Sequence, residues 1–248
     1  MKNTIIILLI LSLFSCAMDE ESRKNQATAL RNLGEAYITQ GNYTDALKEL
    51  LAAEKLFKND PFIQNDLGLA YLAKERADLA IECFKRAISL KPDFTPARNN
   101  LGTAYLANKD WDLAIPLFKE ISSDLLYVTP HFPLTNLGWA YYNKKEYNIS
   151  EKYYNKALEI APNFVIALIG LGKTFTAMGK FNDAISKLEK AVQLMPTLTE
   201  AYYELAKAYK FNNNYEKAIF AYKKVMELSP ESEYAKEAKS ESTRLGKE

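Results

Sequence analysis

The chain has 248 residues, 48% of them hydrophobic, which is enough apolar material for a folded body of ordinary domain size. Its 32 Lys and Arg stand against 31 Asp and Glu, a formal net charge of +1, with the two signs interspersed. That balance lacks the basic surplus a nucleic-acid-binding protein needs to displace counterions, so no nucleic acid partner is expected.

Residues 1–15 form the first predicted element. Met1 and Lys2 give a short positive start, and Ile5 to Phe14 is an apolar run broken only by Ser12. As a helix, ten residues rise about 15 Å, half of a hydrocarbon core roughly 30 Å thick, so the run does not span a membrane. The pattern is that of a secretory signal peptide. Its end, Leu13-Phe14-Ser15-Cys16, resembles the bacterial lipobox, although Phe14 departs from the usual small or β-branched residue. The resemblance implies that Cys16 becomes the mature N-terminus and carries a lipid. Ala17, where an inner-membrane lipoprotein has Asp, implies the periplasmic face of the outer membrane. The other reading is an ordinary signal peptide cut nearby, with Cys16 incidental. Residues 16–26 are then the lipidated Cys and a polar tether, and Ala17 to Asn25, if extended, reach about 30 Å.

From residue 27 the sequence repeats itself. Leu33, Leu67, Leu101, Leu137, Leu171 and Leu205 recur at spacings of 34, 34, 36, 34 and 34, the first five followed by Gly and the last by Ala. Four residues after each Leu stands a ring: Tyr37, Tyr71, Tyr105, Tyr141, Phe175 and Tyr209. Thirteen after it stands a small residue: Ala46, Ala80, Ala114, Ser150, Ala184 and Ala218. Leu and the ring share one helical face, while Gly and Ala let two backbones approach. Pro92, Pro162, Pro196 and Pro230 stop the second helix of a pair. This is the tetratricopeptide pattern. It predicts an all-α, right-handed superhelix of six helix-turn-helix repeats at 27–60, 61–94, 95–130, 131–164, 165–198 and 199–232. The third repeat carries a two-residue insertion, and residues 233–248 form a capping helix.

A superhelix of this kind lines its concave side with the first helix of each repeat. The positions exposed there are expected to form a partner-binding groove from Asn65, Leu69, Asn99, Asn100, Thr103, Leu106, Asn136, Trp139 and Tyr142. Asn32, Asp66, Asn100 and Asn136 stand at equivalent places, and a row of amides can pair with an extended peptide backbone. Trp139 and Tyr142 would supply an aromatic anchor. The equivalent residues of repeats five and six (Ile169, Gly170, Lys173, Tyr203, Glu204, Lys207, Lys210) are more mixed and rank second. The same side chains also suit packing between repeats, with the partner then on a flank or the convex side.

Chemistry is not expected. His131 is the only histidine, between Pro130 and Phe132, and no metal-ligand spacing or phosphate loop occurs. No catalytic residue, metal, cofactor or small-molecule substrate is predicted.

The Cys16 motif, the six repeats and the stretch from Tyr127 to Tyr142 (including Thr129-Pro130-His131-Phe132-Pro133) together resemble the type IV pilus biogenesis and stability lipoproteins, the pilotins of the PilF, PilW and Tgl type. The resemblance implies an outer-membrane lipoprotein whose protein partner is a secretin subunit and which promotes assembly of the secretin ring. The other reading is a general periplasmic scaffold for envelope assembly or recruitment of cell-wall enzymes.

Overall fold

The computed structural model describes residues 20–124 and 128–246 in full and residues 2–19 by their backbone. The side chains of the expected signal peptide, that of Cys16 included, therefore lie outside the described residues, as do residues 125–127 of the insertion. Among the described residues there are thirteen helices and no strand: α1 (Lys2–Thr39), α2 (Tyr43–Leu56), α3 (Pro61–Ala73), α4 (Ala77–Leu90), α5 (Thr95–Ala107), α6 (Trp111–Ser123), α7 (His131–Asn143), α8 (Tyr147–Ile160), α9 (Val165–Ala177), α10 (Phe181–Leu194), α11 (Thr199–Phe211), α12 (Tyr215–Leu228) and α13 (Glu233–Leu245). None is long and apolar enough to cross a membrane. This is the all-α helical-repeat fold that the recurrence predicts.

The chain divides into two units, Met1–Ala114 and Ile115–Glu248. Within the first, α1 touches α3 and α3 touches α5, each of α1 and α3 pairing with the helix that follows it. Within the second, α7, α9 and α11 form one layer in the same way, and α8, α10 and α12 pack behind them.

The motif positions explain the packing. Ala46, Ala80, Ala114, Ala184 and Ala218 are all buried at 0% exposure. Leu50, Phe84, Phe118, Tyr154, Leu188 and Tyr222, four residues further along, are the buried bulk. The glycines make room for that bulk: a Cβ at Gly68 would lie 2.5 Å from the Phe84 ring, and one at Gly172 would lie 2.5 Å from Leu188. One motif leucine breaks the rule. Leu33 is exposed, because α1 opens the stack and no hairpin among the described residues covers its outer face.

The turns between paired helices share one geometry that the residue types conceal. In all six, a residue with φ between 59° and 75° follows the first helix: Gly41, Glu75, Lys109, Lys145, Gly179 and Asn213. Two backbone bonds close each turn, as in Arg76 N–H to the Tyr71 carbonyl at 2.9 Å and Glu75 N–H to the Leu72 carbonyl at 3.0 Å. This is the Schellman closure of a helix end. The carbonyl that accepts the bond spanning more residues is always that of the motif ring, Tyr37, Tyr71, Tyr105, Tyr141, Phe175 or Tyr209.

The polar segment before the first repeat departs from expectation. Glu20 to Asn25 are exposed but helical, continuing α1 instead of forming an extended tether. Adding a turn to an existing helix avoids the cost of nucleation. Lys24 also rests over the Phe57 ring at 5.9 Å, which holds the segment on the body. At the other end, α13 buries Ala235, Ala238 and Leu245 while packing on α12.

Candidate partner-binding faces

Each unit presents the face made by its first helices. In the first unit the expected groove residues fare unevenly. Asn65 is buried at 7% exposure, its amide donating to Asp66 Oδ1 at 3.2 Å while its carbonyl accepts from Asn100 Nδ2 at 2.9 Å. Leu106 is buried as well. Both were expected to face a partner, and both are instead packed between helices. For Asn65 the reason is the close approach of α3 and α5, which encloses a side chain that a lone helix would expose. Leu69, Asn99 and Thr103 are half-buried, and Thr103 Oγ1 donates to the Asn99 carbonyl at 3.1 Å. Asn100 is half-buried too, but its amide is committed to Asn65, so no free amide ladder runs along this unit.

Asp66 marks a charged spot on that face. Burial pushes its carboxyl up to about 6, against the lowering effects of the Asn65 amide and the Arg31 guanidinium. Arg31 Nε lies 3.7 Å from Asp66, and its guanidinium covers the Phe62 ring at 5.5 Å. The Cys83 thiol is half-buried on α4, and burial pushes it up to about 11, which leaves it an unreactive packed side chain.

The second unit carries the better-formed site. Trp139 and Tyr142, half-buried on α7, stack with ring centroids 5.8 Å apart and planes 11° from parallel. The Lys173 ammonium sits 5.0 Å over the Trp139 ring. It pairs with Glu200 at 3.2 Å and with buried Glu204 at 3.5 Å, and Lys207 pairs with the other oxygen of Glu204 at 3.1 Å. Burial alone pulls the Lys173 ammonium down, but Glu204 and Glu200 outweigh it and hold it above its ordinary value.

Beside Trp139 lies a hollow of about 430 Å³, edged by Thr135 and Asn136 of α7, Ile166, Ile169 and Gly170 of α9, Leu198 at the end of that repeat and Glu200 of the next. Tyr154 of α8 forms its floor. The phenol reaches it because position 170 has no side chain: a Cβ there would lie 2.3 Å from Cζ and 2.5 Å from the hydroxyl. Behind the floor a buried hydroxyl relay ties three helices. Ser150 Oγ donates to the Gly138 carbonyl at 2.8 Å and lies 3.0 Å from Thr174 Oγ1, which donates to the Gly170 carbonyl at 2.8 Å.

Of the expected site residues, then, Asn136, Trp139 and Tyr142 gather on one face of the second unit. Of the hollow's other walls, Ile169, Gly170 and Lys173 were ranked second by sequence, and Tyr154, Ile166, Leu198 and Glu200 were missed. Gly170 was the available signal, since it interrupts the row of amides and acids at its register. His131 packs against Phe132 at 4.4 Å and Phe164 at 5.0 Å between ring centroids. Among the described residues no group of three or more His, Cys, Asp or Glu is placed to hold a metal ion.

Comparison with known proteins places these features. Family models described as tetratricopeptide repeat match residues 18–61, 65–123, 133–164 and 175–241. Among solved structures the chain is similar to PilW, described as a widely conserved type IV pilus biogenesis factor, at 22% identity and TM-score 0.76, over 84% of this chain and 96% of that one. It is similar to PilF of Pseudomonas aeruginosa at 19% identity and TM-score 0.71, over 89% of this chain and 99% of that one. The APC/C hetero-tetramer Cut9–Hcn1 matches at 16% identity and TM-score 0.77, over 89% of this chain but 43% of its own. At such identities the likeness is one of fold. No curated protein matches the chain in sequence.

Proposed function

We propose that this chain, which belongs to the tetratricopeptide repeat family, is a lipid-anchored assembly factor of the outer membrane that binds secretin subunits and promotes their assembly in type IV pilus biogenesis. It works by holding a protein partner, without catalysis. The observation that carries this reading is the combination of Cys16 in its lipobox-like setting with a body that matches two type IV pilus proteins over nearly their whole length.

The mechanism follows from tethering. A lipid on Cys16 restricts the body to the membrane surface, and the repeat faces hold a secretin protomer there. Confining protomers to a thin layer raises their effective concentration where the ring forms, with no new contact and no energy source. A single acyl chain gives marginal binding, so the several chains of a bacterial lipoprotein are what make the anchor durable.

Deleting the gene tests the reading. Secretin is expected to stay monomeric and cells to lack surface pili, with heat-stable multimers restored by the wild-type gene. Cys16→Ala is expected to release the protein from membranes and to restore few multimers. Normal multimers in the deletion strain would overturn the secretin role and favour a general scaffold.

A further inference from the structure

We propose that the hollow of the second unit is a receptor for one tyrosine side chain of a partner protein, its ring against Trp139, Ile166 and Ile169 and its hydroxyl at Tyr154 and Asn136. The inference rests on the protein-binding reading above and names the chemistry of the contact.

The walls call for an apolar, planar body. Trp139 lines one side with its indole, Ile166 is 60% exposed at the mouth, and buried Ile169 and half-buried Leu198 complete the lining. At about 430 Å³ the hollow sits at the small end of the roughly 300–1,000 Å³ typical of ligand sites, which suits one large side chain and its flanking backbone.

The floor calls for a polar tip. Tyr154 is 1% exposed, yet among the described residues its hydroxyl has no hydrogen-bond partner, and it opens on the hollow. Open to the hollow, that hydroxyl is met by solvent until a polar group of a partner replaces it. The Asn136 amide, half-buried at the edge, is likewise free of any partner among the described residues. An incoming hydroxyl both donates and accepts, so it satisfies the phenol and the amide together. A phenylalanine would fill the same space and leave both unpaired and dry.

The charges argue against an acidic partner. Lys173 is the cation nearest the hollow, but it is committed to Glu200, Glu204 and the Trp139 ring. With Lys207 on Glu204, two cations face two carboxylates. Recognition therefore depends on shape and hydrogen bonding, with little help from net charge.

The test is a random peptide library selected on the full chain and counter-selected on Tyr154→Phe, which keeps the ring and removes the hydroxyl. Peptides retained by the wild type should carry tyrosine at one fixed position. In a synthetic peptide, changing that tyrosine to phenylalanine should weaken binding to the wild type about 3- to 10-fold, the range of one hydrogen bond, and weaken binding to Tyr154→Phe by less, since only Asn136 then meets the hydroxyl. Affinity should change less than about twofold up to roughly 1 M salt, where the Debye length is about 3 Å. Selection of acidic or tyrosine-free peptides, no enrichment at all, or equal binding of the two synthetic peptides would overturn the proposal. Circular dichroism of Tyr154→Phe separates loss of the hydroxyl from loss of the fold. If the selection fails while deletion still abolishes secretin multimers, the tyrosine receptor falls and the assembly role stands.

Discussion

Asn100 Nδ2 donates to Asn65 Oδ1 at 2.9 Å, joining α5 to α3 one repeat away. The acceptor belongs to a buried residue, so the bond has no water to replace it. Asn100→Ala is expected to cost about 1–3 kcal/mol in denaturant unfolding, the penalty for orphaning a buried polar atom. Adding Asn65→Ala to it should cost less than the sum of the two singles, and strict additivity would show that the bond contributes nothing.

Asp66 gives the first unit a pH dependence. Its carboxyl is raised from 3.8 to about 6, so the folded chain binds this proton more tightly than the unfolded chain. The stabilisation is therefore complete below about 3.8 and is lost as pH rises through about 6. Asp66→Asn is expected to raise stability by about 3 kcal/mol at pH 7.5 and by almost nothing at pH 3.5. Thermal melts at the two pH values check it, and an equal gain at both would refute the assignment.

The six turns between paired helices separate two effects of a side chain. Nothing lies within 4 Å of a Cβ built at Gly41, so Gly41→Ala meets only the cost of its φ of 75°. That cost is about 1 kcal/mol. Conversely, Glu75, Lys109 and Lys145 already bear that strain at φ of 60°, 65° and 61°. Changing each to Gly should stabilise the fold by a few tenths of a kcal/mol, the relief being partly offset by the entropy of glycine in the unfolded chain.

The ion pairs divide by burial. Glu204 is 5% exposed and faces Lys173 and Lys207. Glu204→Ala is expected to cost about 3–5 kcal/mol, because Lys173 is left half-enclosed with one carboxylate fewer. The exposed pair Lys224–Glu227 should cost under about 1 kcal/mol when broken. Combining Lys173→Met with Glu204→Leu should recover most of the loss, since apolar packing replaces a buried pair well.

The helical pairs were legible because period and residue size act locally: Leu, ring and Ala at fixed offsets put the bulk and the gaps where two helices meet. The site was legible only in part. Trp139 and Tyr142 announce themselves as aromatic residues on a first helix, but the burial of Asn65 depends on how closely α3 and α5 approach, which no offset encodes. Ser150 looked merely small at an alanine position, yet its hydroxyl joins α7 to Thr174 of α9. Four of the six positive-φ turn residues are not glycine, so residue type hid a geometry that the backbone bonds make plain.

The Tyr154 ring lies against Gly138 on one side and Gly170 on the other, and these belong to successive hairpins. A single side chain thus acts as a rivet through two layers of the stack. Fraying that begins at the carboxyl end can peel α13 and then α11 with α12, but it must stall where the rivet passes through. Amides of α7 to α9 should in consequence be the last of the second unit to exchange with solvent deuterium.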